Sequence, residues 1–146
     1  PVWRILPEFA AANPAYDRIG LRDLCQQIHS MYKSYDVARL TTEMYLSDMQ
    51  PAMKPSDAFA KMAHREIDRV AIDKLEGRVT AILLTPYPPG IPLLIPGEIF
   101  NKTIVDYLKF ARDFNEKFPG FETDVHGLVK SEVNGVKGYF VDCVKQ

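Results

Sequence analysis

Cysteine is scarce in this 146-residue sequence: Cys25 and Cys143 stand far apart and belong to no CxxC or Cys/His cluster. That spacing offers no disulfide framework and predicts two reduced core thiols in a cytoplasmic protein. An excess of charge of either sign is also missing. Eighteen Lys and Arg against nineteen Asp and Glu leave a net charge of −1, so the cation surplus that marks a nucleic-acid or anionic-membrane surface is absent. No apolar run approaches the roughly 18 residues of a membrane span, and the N-terminus carries no basic region followed by a long apolar stretch, as a secretory signal would. The eight glycines form neither GxGxxG nor GxxxxGK, which leaves no phosphate-cradling loop. GxSxG is missing too. The chain begins at Pro1 rather than Met, and is therefore expected to be a piece of a longer protein.

What is present is ordinary except in one respect. With 47% hydrophobic, 11% aromatic and 25% charged residues, the composition is that of a globular protein, and a chain of this length forms one domain that buries roughly 70% of its unfolded surface. The exception is proline. Of 11 prolines, Pro86, Pro88, Pro89, Pro92 and Pro96 fall within eleven residues.

Periodicity organises the rest. Residues 1–19, with prolines at 1, 7 and 14, read as an extended connector, because each proline disfavours helix at the residue before it. From Gly20, the spacing of Leu21, Leu24, Cys25, Ile28, Met31, Tyr32 and Tyr35 predicts an amphipathic helix over about 20–34. A second is expected over 37–48, ended by the prolines of QPAMKP. A third is capped by Ser56, with Phe59, Met62, Ala63 and Ile67 inward. Residues 78–86 are aliphatic and β-branched and read as a covered strand, preceded by a helical turn closed by Gly77. IPLLI, 91–95, is an edge or extended packing segment. Asn101 caps a helix over 102–117 with Ile104, Val105, Leu108, Ala111 and Phe114 inward. Asn134-Gly135 between two apolar alternating runs predicts a type I′ hairpin over about 125–143. The expected fold class is α+β: a small sheet with a C-terminal β-hairpin, covered by about four helices, all in a single domain over 20–146.

Candidates for chemistry are few. His29 borders an apolar helical face, His64 lies in the charged run AHREIDR, and His126 sits beside Glu122 and Asp124, where a carboxylate can orient an imidazole. None has metal-ligand spacing with another. A hydrolase built on His126 and its neighbouring carboxylates is the weakest functional reading. Charged faces of helices and loops explain most of the carboxylate pairs Asp17/Asp23, Glu66/Asp68 and Glu122/Asp124. The segment Thr85 to Glu98, TPYPPGIPLLIPGE, is the outlier. Its prolines fix φ and remove amide donors, so it must run extended, partly polyproline-like, out of a buried strand. It is either a packing element between strands or the wall of a cleft or domain interface. A PxxP adaptor ligand fits less well, because such ligands are polar and disordered. An interaction module that uses this loop is the alternative function.

PYPPGIPLLIPGE followed by FPGFETDVHG resembles the C-terminal domain of the bacterial pyridoxal-phosphate-dependent ornithine/lysine/arginine decarboxylases. IGLRDLCQQIHSMY at 19–32 and Gly77-Arg78-Val79 are similar to the same family, from about Tyr16 to the end of the chain. The resemblance implies a domain of a large, cytoplasmic, oligomeric enzyme that removes CO2 from a basic amino acid in polyamine biosynthesis, amino-acid catabolism or acid resistance. It implies pyridoxal phosphate in the full-length enzyme and none on this chain, since the family's Schiff-base lysine follows a histidine and no lysine here does. The implied partners are the upstream cofactor-binding domain, homo-oligomer subunits and the basic amino acid, with no nucleic acid or membrane. The resemblance also implies substrate-channel roles for Asp17 and Tyr87, a carboxylate that attracts and a phenol that orients a cationic substrate, with no catalytic, cofactor-binding or metal residue on the chain. Where enterobacterial lysine decarboxylases of the family use an arginine for an inhibitory guanosine alarmone, Gly20 stands here, so the resemblance does not extend that control to this chain. Substrate entrance and subunit packing are the implied function.

Overall fold

Asn101 begins the element around which the molecule is assembled. The computed structural model describes residues 7–133 and 135–146, and in it the Asn101 side chain accepts a 3.0 Å hydrogen bond from the Ile104 amide and so satisfies one free donor of the first turn. Helix α5 then runs Lys102–Lys117 and buries Ile104, Val105, Tyr107, Leu108, Phe110, Ala111 and Phe114, the i, i+3, i+4 stripe read from the sequence plus two aromatics at its margin. Four further α-helices are found among the described residues: α1 (Pro7–Ala12), α2 (Leu21–Ser34), α3 (Val37–Leu46) and α4 (Pro55–Ala63). Buried Leu24 and Met31 of α2 and Leu40 and Met44 of α3 join the core that α5 organises.

The strands form two antiparallel units. A three-stranded sheet has the order β1 (Ile67–Ala71), β5 (Val136–Val144), β4 (Val129–Val133). The central strand β5 is covered on both faces, with Val141 and Cys143 in the main core and Val144 in a smaller cluster with Ala58 of α4 and Ala81, as alternation along a strand requires. A separate ribbon pairs β2 (Thr85–Tyr87) with β3 (Asp124–His126). The architecture is α+β, as the patterning indicates.

Several local expectations are corrected. Of the extended connector, residues 1–6 lie outside the described residues, but Pro7–Ala12 is helical and Pro14–Tyr16 forms a 3-10 turn; a proline at the first helical position removes only an amide that has no partner there. The same rule moves the third helix, which starts at Pro55 with Lys54, not Ser56, as its cap. Its buried residue is Ala58, and Phe59, about 100° further around, is 61% exposed. Cys25 is likewise exposed beside the buried Leu24 line, while Cys143 is in the core. The expected strand over 78–86 is broken. The Thr80 hydroxyl donates to the Ile82 carbonyl at 2.7 Å and accepts from the Ile82 amide at 3.2 Å, a local bond set that competes with a ladder, so only bridges at Val79, Thr80 and Leu84 precede β2. The C-terminal hairpin is present as β4 and β5 with Val133 opposite Val136 and Gly135 at φ 79°; Asn134 of its turn lies outside the described residues.

Candidate functional site

Tyr87 owes its position to the β2–β3 ribbon. The register sets Thr85 opposite His126, Pro86 opposite Val125 and Tyr87 opposite Asp124. Pro86 and Val125 are buried, so by the two-residue period the other face presents Thr85, Tyr87, Asp124 and His126 together. The loop that follows is pinned rather than free. The Gly90 amide donates to the Pro86 carbonyl at 2.9 Å, and the Leu84 amide and carbonyl bond Leu94 and Leu93 at 2.9 and 2.8 Å. The Tyr45 hydroxyl of α3 donates to the Ile91 carbonyl at 3.2 Å. The segment therefore closes on itself at Pro86–Gly90 instead of continuing as a polyproline-like run, and the Tyr87–Pro88 and Pro88–Pro89 peptide bonds are cis. At the far end of β3, Gly127 has φ 94° and a Cβ there would stand 2.5 Å from the Leu83 carbonyl oxygen.

On the exposed face, the Tyr87 ring meets the His126 imidazole edge to face, with centroids 6.3 Å apart and planes at 80°. His126 Nε2 lies 3.3 Å from Asp124 Oδ2. The Thr85 hydroxyl oxygen is buried and has no hydrogen-bond partner, a condition that is rare and costly when nothing further packs on a site.

Asp17 is held at a different place. Buried Tyr16 donates its hydroxyl to the Pro119 carbonyl at 2.9 Å and packs edge to face on Phe121 at 5.8 Å; burial, and then the charge of Glu122, push its phenol above the usual range. Asp17 follows with an exposed carboxylate 3.7 Å from Arg18 Nε, and Arg18 itself adopts φ 64°. Glu122 accepts the Gly120 amide at 2.8 Å, and that backbone bond holds its carboxyl below the usual carboxylate range. Asp17 and Tyr87 are thus attached to opposite ends of one segment, 119–126, without touching. The register that gives Tyr87 a carboxylate neighbour was not readable from the sequence, because strands of three residues carry too little pattern to fix their pairing.

The remaining candidates stand alone. His29 and His64 are exposed. Among the described residues, no group of three His, Cys, Asp or Glu side chains is disposed to hold a metal. Pyridoxal phosphate does not fit this chain: it needs a sequestered lysine, and each of the ten lysines is exposed or half-buried. No step of cofactor chemistry follows from these residues. Cavities of about 420, 340 and 560 Å3 lie elsewhere, around Asn101, Arg112 and Arg69. No helix is long and apolar enough to cross a membrane among the described residues.

The fold is shared with known proteins. Residues 38–145 match the family described as Orn/Lys/Arg decarboxylase, C-terminal domain, and the chain belongs to that family. It is 43% identical to the lysine decarboxylase LdcA of Pseudomonas aeruginosa over its whole length, and 35% identical to the constitutive lysine decarboxylase of Escherichia coli over 88% of its length. The solved E. coli constitutive lysine decarboxylase superposes over 99% of the chain with a TM-score of 0.85 at 34% identity, and lysine decarboxylase A from P. aeruginosa over 92% with 0.84 at 44%. The chain spans about a fifth of the length of these relatives, 20% and 18% of the two curated proteins and 20% and 18% of the two solved chains.

Proposed function

We propose that this domain completes a pyridoxal-phosphate-dependent decarboxylase acting on lysine, arginine or ornithine, where it forms part of the substrate entrance and of the subunit packing. The cofactor and the catalytic lysine belong to the upstream region of the same cytoplasmic enzyme, and this chain is inactive by itself. The observation that carries the reading is the match of the whole chain to one fifth of a lysine decarboxylase, in a chain whose own lysines are all exposed or half-buried. Asp17 and Tyr87 serve the entrance, the carboxylate by attracting a cationic amino acid and the phenol by orienting it.

The test compares the full-length enzyme with a form truncated before Pro1 of this chain, following CO2 release from each of the three amino acids. Loss of activity with retained cofactor absorbance supports the reading, and full activity after truncation overturns it. A second reading, an interaction module that docks an unrelated protein through Pro88–Pro92, draws support from the exposure of that loop. Sedimentation separates the two: association only with the upstream region belongs to the decarboxylase domain, and association with an unrelated protein belongs to the module.

A further inference from the structure

We propose that Asp124, acting with the Tyr87 ring, is the principal residue that receives the ammonium or guanidinium head of the incoming amino acid at the entrance. The proposal rests on the entrance reading above and names the residue that performs its cation recognition. The register sets Asp124 directly opposite Tyr87 on the open face of the ribbon, where paired side chains lie close enough to bind one group together. His126 approaches Oδ2 of Asp124 at 3.3 Å, and Oδ1 has no partner among the described residues. A cation that settles on Oδ1 stands on the same face of the ribbon as the Tyr87 ring, and a carboxylate with an aromatic neighbour is a combination that suits ammonium and guanidinium groups.

The charges around Asp124 and Asp17 favour the same face. Asp17 already stands 3.7 Å from the side chain of Arg18, which is 90% exposed and offsets its charge. Glu122, two residues before Asp124, is held ionised by the Gly120 amide and adds negative potential along the approach; Lys130, which also acts on Glu122, is the cation that opposes it.

Steady-state kinetics of the full-length enzyme test this. Asp124→Asn is expected to raise KM for the amino acid about two- to fivefold, the scale of one exposed ion pair, since the Tyr87 ring is left in place, with kcat within about twofold. Asp124→Glu restores most of the loss, and the rise exceeds that of Asp17→Asn. Glu132→Gln, an exposed carboxylate on β4, serves as the control. A KM for Asp124→Asn no higher than for Glu132→Gln overturns the proposal and leaves the entrance reading in place. A fall in kcat with unchanged KM and weaker subunit association in sedimentation also overturns it, because the cation on Asp124 is then a lysine or arginine of the upstream region. Full activity after truncation of the domain removes the entrance reading and this proposal together.

Discussion

A missing Cβ at Gly127 keeps β3 in contact with the chain that leads into β2. With φ at 94° and the Leu83 carbonyl 2.5 Å from where a Cβ would be, alanine at this position must both occupy a left-handed backbone and push a main-chain oxygen aside. The backbone contribution by itself is about 1–3 kcal/mol. Gly135 is the natural control, because it has φ 79° and nothing within 4 Å of its virtual Cβ. Urea denaturation is expected to show Gly127→Ala less stable than Gly135→Ala, and equal losses would mean that the close approach imposes no constraint. A second residue-scale prediction concerns Cys143. Burial, only partly offset by Arg78, pushes its thiol up to about 12 from an ordinary value of 9.0. The unfolded chain therefore releases this proton before the folded one does, and the stability that the buried thiol contributes is complete below about pH 9 and lost as pH rises towards 12. Buried Tyr107, also pushed up to about 12, acts in the same direction. Stability measured at pH 8 and pH 11 is expected to fall more for the parent than for Cys143→Ala, and parallel losses would refute the role of this thiol.

Between elements, one polar tie gathers on Arg112 of α5. Its Nε donates to Asp113 at 2.7 Å and its Nη1 donates to both oxygens of Asp73 at 3.1 and 3.0 Å, joining α5 to the 3-10 turn at Ile72–Lys74. Tyr35, at the C-cap of α2, donates its hydroxyl to Asp113. Burial acts to raise the Asp113 carboxyl, but the bonds from Arg112 and Tyr35 outweigh it and hold the group below its ordinary value. Its contribution is present above the ordinary carboxylate range and disappears as pH falls through the lowered value. Tyr35→Phe should cost about 1 kcal/mol at pH 7, since the bond is charge-assisted but half exposed to water. The cost should shrink near pH 3, and urea titrations at the two pH values decide it. Elements of this kind differ in how far the sequence reveals them. Helix α5 was legible because Asn101 and a regular apolar stripe agree, and so was the hairpin, because its turn residues and its alternation agree. β1 was not, since only Val70 is buried and Arg69 is satisfied by a cross-strand pair with Asp142 at 2.8 Å, a partner that pattern cannot supply. At the candidate site, the proline cluster marked Tyr87 as unusual, whereas Asp124 became its neighbour only through a tertiary register.

Across the whole molecule, one stretch is built to be covered by something else. Leu83, Ile91 and Ile95 are 47%, 55% and 40% exposed, all within thirteen residues that also hold the exposed Pro88, Pro89 and Pro92. Apolar side chains scattered singly on a surface need no explanation, but a group of them on one short segment marks an interaction site. The backbone of this segment is already fixed by its bonds to Pro86, Leu84 and Tyr45, so docking costs little further conformational entropy. In the full-length enzyme the loop is expected to lie against the upstream region. Ile91→Asp should then forfeit about 1–1.5 kcal/mol of burial at that contact while leaving this domain's own fold intact, because Ile91 is more than half exposed and outside the core here. Limited proteolysis and hydrogen exchange of the full-length variant should report faster cleavage and faster amide exchange across residues 83–95 than in the parent enzyme. If parent and variant exchange alike, with the loop already unprotected in the parent, the segment faces water in the assembled enzyme and the domain must dock through another face.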